Sequence, residues 1–280
     1  MATESKALGK VEVWLSKDVP PFPAIALKAL NLMAGTDTSL LQLCNLIRPD
    51  AAFSAEVLRI ANSPLVAFPK NITSVLQASM VLGFRRLRSV VITVGLRAYL
   101  AGTFTPALHS CWRHSLACGM IAERIAAANS RDKDFAYTAG ILHDVGRIVM
   151  AMSLPDLYRQ IAIQGADHPR QLLHAERALY GIDHCQAGAL LVKSWHLPEA
   201  FLQIVAHHHD GHSQTGNDVA SIVAASCQLA DTLGFGIVRC VKPLSSTDIL
   251  SSVGNLRTIH ADGEDLASEL AREIQLIESA

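Results

Sequence analysis

Aromatic residues make up only 5% of this 280-residue chain and charged residues only 18%. Alternating apolar and polar runs, the mark of half-buried strands, are scarce. The best strand candidate is 90–94, and it continues the apolar run of a longer helical pattern. An excess of either charge is also missing: 24 basic against 25 acidic residues leave a net charge of -1. The sequence therefore carries no electrostatic footprint for nucleic acid or an anionic membrane. Nor does it interleave aromatic with basic residues as nucleic-acid binders do. No CxxC pair occurs, and Cys44, Cys111, Cys118, Cys185, Cys227 and Cys240 are scattered among apolar neighbours. Such cysteines read as buried thiols in a reducing compartment. The start, 1–10, is polar and lacks an apolar h-region, so it is not expected to act as a signal peptide. No run of about eighteen uncharged apolar residues appears, so no spanning helix is expected. The expectation is a cytoplasmic protein with neither membrane nor nucleic acid as partner. No internal repeat and no low-complexity segment is present.

Half of the residues are hydrophobic, enough for a sizeable core in one large domain or two small ones. Apolar positions recur at helical spacing almost throughout, which predicts an all-α fold. Helices are expected at 24–33, 39–47, 51–61, 73–82 and 85–100 in the first half. Gly35 to Thr38 would end the first and cap the second, Asp50 would cap the third, and Gly83 would end the fourth. The second half reads as helices at 107–128, 135–152, 155–164, 170–180 and 184–195. Further helices follow from Pro198 to the histidines at 207–209, at 219–233, and more weakly at 246–253 and 264–277. Gly102 to Pro106 is the best internal boundary. The expected organisation is an N-terminal bundle of short helices (15–105), a second helical unit (106–240) and a C-terminal helical extension (241–280). The segment 210–217 is polar and reads as a mobile loop.

The chemistry is concentrated around His143-Asp144, set inside the apolar segment 135–152. A buried carboxylate is costly unless paired, hydrogen-bonded or bound to metal. Taken alone, the pair reads more simply as a helix cap or a buried hydrogen-bonded pair than as a metal site. Eight of the twelve histidines fall between 168 and 212. His114, His143, His184 and His207 lie in different predicted helices, so a bundle can bring them to one centre. Any one of them is more simply a satisfied histidine, but the set together favours a metal site. Imidazole and carboxylate suit Zn, Fe, Mn or Ni. His207 and His208 are about 100° apart on a helix and can flank one cavity. A carboxylate can also bridge two metals that clamp a phosphate and activate water. Arg85, Arg86 and Arg88 read as a solvated face in preference to a phosphate or acidic-partner site.

The segments Trp112-Arg113-His114-Ser115, His143-Asp144-Val145-Gly146-Arg147 and the late Asp231 resemble the H…HD…D signature of the HD superfamily of metal-dependent phosphohydrolases. Pro20 to Pro23, Ile47 to Asp50, Leu58 to Ser63 and Leu82 to Arg88 resemble the HDOD family within it. So do Gly181 to His184, Trp195 to Pro198, and His207-His208. The likeness spans roughly 15–240. It implies an all-helical signalling output domain, with the N-terminal bundle packed on an HD-superfamily-like helical domain. It further implies that His114, His143, Asp144 and Asp231 hold one metal. Asp144, His184, His207 and His208 would hold the other, as in the related HD-GYP phosphodiesterases of cyclic di-GMP. Two features depart from those relatives. Arg147 stands where a lysine is common, and an arginine binds phosphate but does not give up its proton. The GYP segment is absent, since His207-His208 runs on as His209-Asp210-Gly211.

Two functions follow from the resemblance. The first is a regulatory signal-transduction protein with divalent metal held in an HD-like centre and with a protein partner. The second is a metal-dependent phosphohydrolase acting on a phosphodiester or nucleotide through a dinuclear Fe, Mn or Zn centre. There Asp144 and Arg147 would be catalytic and a phosphate-containing ligand would be bound. Oligomeric state is left open by both.

Overall fold

The computed structural model describes residues 22–34, 39–63, 66, 71–100, 105–153, 155–164, 169–210, 218–238, 245–251 and 263–279. Among these the chain is all-α, with short N-terminal helices packed against a larger helical unit and no strand. The first three helices are α1 (Ala24–Ala34), α2 (Leu40–Ile47) and α3 (Ala51–Ala61). Ser39 caps α2 in a reciprocal box with Gln42, and Asp50 caps α3 by accepting from Phe53 N at 2.9 Å. The turn expected at Gly35 to Thr38 lies outside the described residues.

All three pack on α4 (Val75–Leu100). Gly83 divides α4, its φ of 71° being open to glycine at little cost. The strand-like run 90–94 lies in its second part and is buried all round, between the first helices and α6. Burial on every side overrides the modest helix propensity of its β-branched residues.

The second half comprises α5 (Pro106–Ala128), α6 (Lys133–Leu142), α7 (Val145–Ser153), α8 (Pro155–Gln164), α9 (Pro169–Tyr180) and α10 (His184–Ser194). Then come α11 (Glu199–His207), α12 (Val219–Ala230) with a wide turn over Asp231–Phe235, α13 (Ser246–Ser251) and α14 (Gly263–Ser279). The single helix expected over 135–152 is in fact two, α6 and α7, meeting at His143-Asp144. His143 Nδ1 lies 2.7 Å from Gly140 O, the carbonyl that an unbroken helix would offer to the Asp144 N–H.

One apolar core runs from Phe22 to Ile277. Helix α14 adds Leu266, Leu270, Ile274 and Ile277 to it. Arg59 and Arg97 both donate to Ile277 O at 3.1 Å, satisfying a carbonyl of its last turn. No helix among the described residues is long and apolar enough to cross a membrane.

Two glycine crossings set the spacing of the helices that matter most. A Cβ on Gly140 would fall 2.7 Å from the Gly119 Cα, so α5 and α6 touch backbone to backbone. A Cβ on Gly146 would fall 2.0 Å from His184 O and 2.4 Å from Gly188 N, where α7 crosses α10. Gly146→Ala is therefore expected to cost about 3 kcal/mol or more by overpacking. Gly83→Ala meets nothing within 4 Å and should cost only the backbone strain of its φ of 71° and ψ of 170°, a region essentially confined to glycine, about 1–3 kcal/mol. Urea unfolding of the two variants checks this, and equal losses would contradict the crossing.

Candidate metal centre

One buried helix face and three helix ends converge near those crossings. His114 lies on the buried face of α5, beside Cys111 and Ser115. His143 closes α6, Asp144 occupies the junction, and Arg147 lies in the first turn of α7. His184 is the first residue of α10, which Asp183 caps by accepting from Gln186 N at 2.8 Å. His208 ends α11. His114, His143, Asp144 and His184 have no exposed surface, and Arg147 and His208 almost none.

The Asp144 carboxylate is the meeting point. Its Oδ1 lies 3.4 Å from both His184 Nε2 and His208 Nε2. Its Oδ2 lies 3.6 Å from His114 Nε2, 3.8 Å from His143 Nε2 and 2.9 Å from Arg147 Nη1. The arginine contact is an ion pair without hydrogen-bond alignment, and both carboxylate oxygens lack a hydrogen bond. His114 Nε2 and His143 Nε2 stand 3.3 Å apart.

The far nitrogens of the rings are tied to acceptors. His143 Nδ1 faces Gly140 O at 2.7 Å and His208 Nδ1 faces Val205 O at 3.0 Å. His114 Nδ1 lies 3.3 Å from both Phe235 O and Asp231 Oδ1. His184 Nδ1 lies 2.6 Å from Glu176 Oε2, which also accepts from the His184 backbone N–H at 2.9 Å. A carbonyl can only accept, so each of these Nδ1 atoms carries a proton and each neutral ring turns its Nε2 lone pair inward. This is the outer-shell arrangement that fixes metal-binding histidines.

Burial alone would raise the Asp144 carboxyl, but Arg147 and the adjacent imidazoles hold it well below the usual carboxylate range. Burial pushes His143 well down, so that ring is neutral. For His184, burial and Arg147 oppose a charge, while Glu176 outweighs them and raises it. Burial likewise opposes a charge on His208, which Cys185 and Asp144 raise to about 9. The centre is thus divided. The His184 and His208 side already sets the Arg147 guanidinium among its two imidazoles, beside Asp144 and Glu176. The His114 and His143 side sets two inward nitrogens against each other.

A metal fits that second side. Bonds of about 2.0–2.1 Å from imidazole nitrogen to zinc place two tetrahedral ligand nitrogens roughly 3.3 Å apart, the separation seen for His114 and His143. Asp144 then offers oxygens that have no other hydrogen bond. A second grouping, Asp144, His184, His208 and His209, also places its ligand atoms within 4.8 Å of one another. However, Arg147 Nη2 lies 3.1 Å from His184 Nε2, so a guanidinium already stands among those atoms.

The expected residues are not all brought together. His114, His143, Asp144, His184 and His208 converge. His207 does not: its side chain is 59% exposed and pairs with Asp210 at 2.6 Å. Together with Glu199 and Gln203 it forms the exposed stripe of α11, whereas His208 continues the buried stripe of Phe201, Ile204 and Val205. The inward neighbour is His209, with its ring 4.2 Å from that of His208. Asp231 approaches His114 from the Nδ1 side, behind the ring, with its side chain 31% exposed. Sequence reasoning also missed Glu176 and Cys227. Glu176 continues the apolar stripe of Leu172 and Leu173 on α9, where a lone carboxylate is itself a signal. Cys227 lies 3.6 Å from His114 Nε2. Among the expected arginines, Arg85 pairs with Asp132 at 3.3 Å on the surface, while Arg86 pairs with Glu123. Neither points to the centre.

Replacing Glu176 by Leu should cost about 3–5 kcal/mol, because His184 and Arg147 would be left beside an uncompensated apolar wall. Glu176→Gln keeps an acceptor and should cost about 1–3 kcal/mol. Urea unfolding checks the order, and two neutral substitutions would contradict the anchoring role.

Comparison with known proteins agrees with this arrangement of helices. The HDOD domain family pattern matches residues 19–211. An uncharacterized protein of Treponema pallidum (strain Nichols) is 24% identical over 197 residues, covering 69% of this chain and 38% of that protein. The chain thus spans well under half the length of that curated relative. Among solved structures, an HDOD domain protein of unknown function from Geobacter sulfurreducens is similar, with a TM-score of 0.72 at 23% identity. The match covers 99% of this chain and 97% of that one. A protein from Shewanella amazonensis that bears a phosphohydrolase name has a TM-score of 0.68 at 22% identity, covering 97% and 95%. A protein from Marinobacter aquaeolei that bears a signal-transduction name has a TM-score of 0.71 at 19% identity, covering 99% and 65%.

Proposed function

The chain belongs to the HDOD family, and on that premise we propose that it is a regulatory signal-transduction protein. Its buried HD-like centre holds one divalent transition metal for structure or sensing, and its helical surface engages a protein partner. In this reading 15–105 and 106–240 are the two working units, with 241–280 an extension.

The observation that carries the proposal is closure. A catalytic metal keeps a position open to water and substrate, whereas a structural one is enclosed by its ligands. Here His114, His143 and Asp144 have no exposed surface. His114, His143 and Asp144 would hold that metal. Arg147 pairs through Nη1 with Asp144 Oδ2 at 2.9 Å and sets Nη2 3.1 Å from His184 Nε2, among the atoms that would hold a second metal. The signal-transduction name of the Marinobacter aquaeolei protein is in keeping with this role.

A second reading is hydrolysis of a phosphodiester or nucleotide at a dinuclear Fe, Mn or Zn centre. It is favoured by the central position of Asp144, whose oxygens face histidines from both groupings. A bound divalent metal would supply Lewis acidity and an activated water. Arg147 would hold phosphate, and to do so it must first leave Asp144.

The test is metal content of protein purified without chelator or histidine tag. About one ion per chain is expected, as for a closed mononuclear site. Asp144→Ala should bring this near zero with helical circular dichroism retained, and His207→Ala should leave it unchanged. No turnover of bis(p-nitrophenyl) phosphate is expected with Fe, Mn or Zn. Two ions per chain with turnover abolished by Asp144→Ala would establish the hydrolytic reading. No bound metal after anaerobic reconstitution would overturn both.

A further inference from the structure

We propose that Cys227 is the ligand that α12 contributes to the metal, and that Asp231 is a positioning residue that orients His114. The inference rests on the metal reading above and names the donor set, and with it the class of metal.

Cys227 and Asp231 are one helical turn apart and face the same ring from its two sides. Cys227 Sγ lies 3.6 Å from His114 Nε2, the nitrogen that points to His143 and Asp144. Asp231 Oδ1 lies 3.3 Å from Nδ1, the nitrogen that points away. A carboxylate on the far nitrogen fixes the tautomer and raises the basicity of the near one. The distances match a single tetrahedral ion. Zinc bonds of about 2.3 Å to sulfur and 2.0–2.1 Å to nitrogen separate S and N ligands by roughly 3.5 Å. The ligand atoms of His114, His143 and Cys227 all lie within 4.8 Å of one another, and all three residues are buried.

A further sign of a ligand is the Asp144 carboxylate beside them, fully buried and held only by its ion pair with Arg147 at 2.9 Å, with neither oxygen hydrogen-bonded. Burial pushes the free Cys227 thiol up. A divalent ion within bonding reach deprotonates a coordinating thiol outright. On binding, a metal–sulfur bond forms and the S–H proton passes to the buffer, with no change of oxidation state. A thiolate beside two imidazoles selects a borderline-soft ion such as Zn²⁺ over Mg²⁺ or Mn²⁺.

Cobalt(II) is the probe, added anaerobically to the full metal-free chain. Wild type should show a near-ultraviolet sulfur-to-cobalt charge-transfer band. The band should vanish in Cys227→Ser, which still binds Co²⁺ through the remaining ligands but at least about tenfold more weakly. It should persist in Cys185→Ser, whose sulfur lies near His208. Asp231→Asn should keep the band while weakening Co²⁺ binding by roughly 10–100-fold, as loss of an outer-shell partner does. Co²⁺ bound without the band in wild type would overturn the thiolate while leaving the metal reading intact. So would a band lost in Cys185→Ser but kept in Cys227→Ser. If neither Co²⁺ nor Zn²⁺ binds, the metal reading fails and this inference with it.

Discussion

A single carboxylate with no exposed surface, Asp144, is the constraint on which the rest depends. Removing such a charge from water costs several kcal/mol, and the surrounding protein must return it. Arg147 does so on one side, at 2.9 Å. The imidazoles of His184 and His208 approach one oxygen, and those of His114 and His143 approach the other. The junction of α6 and α7 and helices α5, α10 and α11 each place one or more of these groups at the centre. The break between α6 and α7 has the same origin: it lets His143 and Asp144, adjacent in sequence, both point inward.

Small residues make this convergence possible. Where α5 meets α6 at Gly119 and Gly140, and α7 meets α10 at Gly146 and Gly188, backbones approach to distances no side chain would permit. The ligand-bearing turns lie beside these contacts. The apolar core then extends without interruption into the N-terminal helices through α4, and α14 packs across both, anchored by Arg59, Arg97 and Arg124. The N-terminal helices are thus part of the same packed body as the centre.

Helical periodicity and caps made most of the elements legible in the sequence, because burial on one face and capping at the ends are local properties. The Asp50 cap and the interruption at Gly83 are examples. The convergence of His114, His143, Asp144, His184 and His208 was also readable, from the resemblance and from the crowding of histidines. What failed was orientation. Two adjacent histidines at a helix end look alike in sequence, yet the apolar stripe of α11 directs His208 inward and His207 out. Glu176 was visible as a carboxylate on an apolar stripe, but its partner His184 is eight residues away across a turn. Cys227 carried no signal of its own: a cysteine in an apolar helix looks the same whether or not a histidine from another helix faces it.

The most direct test of a metal between His114 and His143 is an anomalous-difference map from crystals of the chelator-free protein, recorded at the absorption edge of the metal found in it. The account predicts one peak per chain, within bonding distance of His114 Nε2 and His143 Nε2 and clear of the Arg147 guanidinium. A peak only at the exposed His207–Asp210 pair, or none at all, would contradict it.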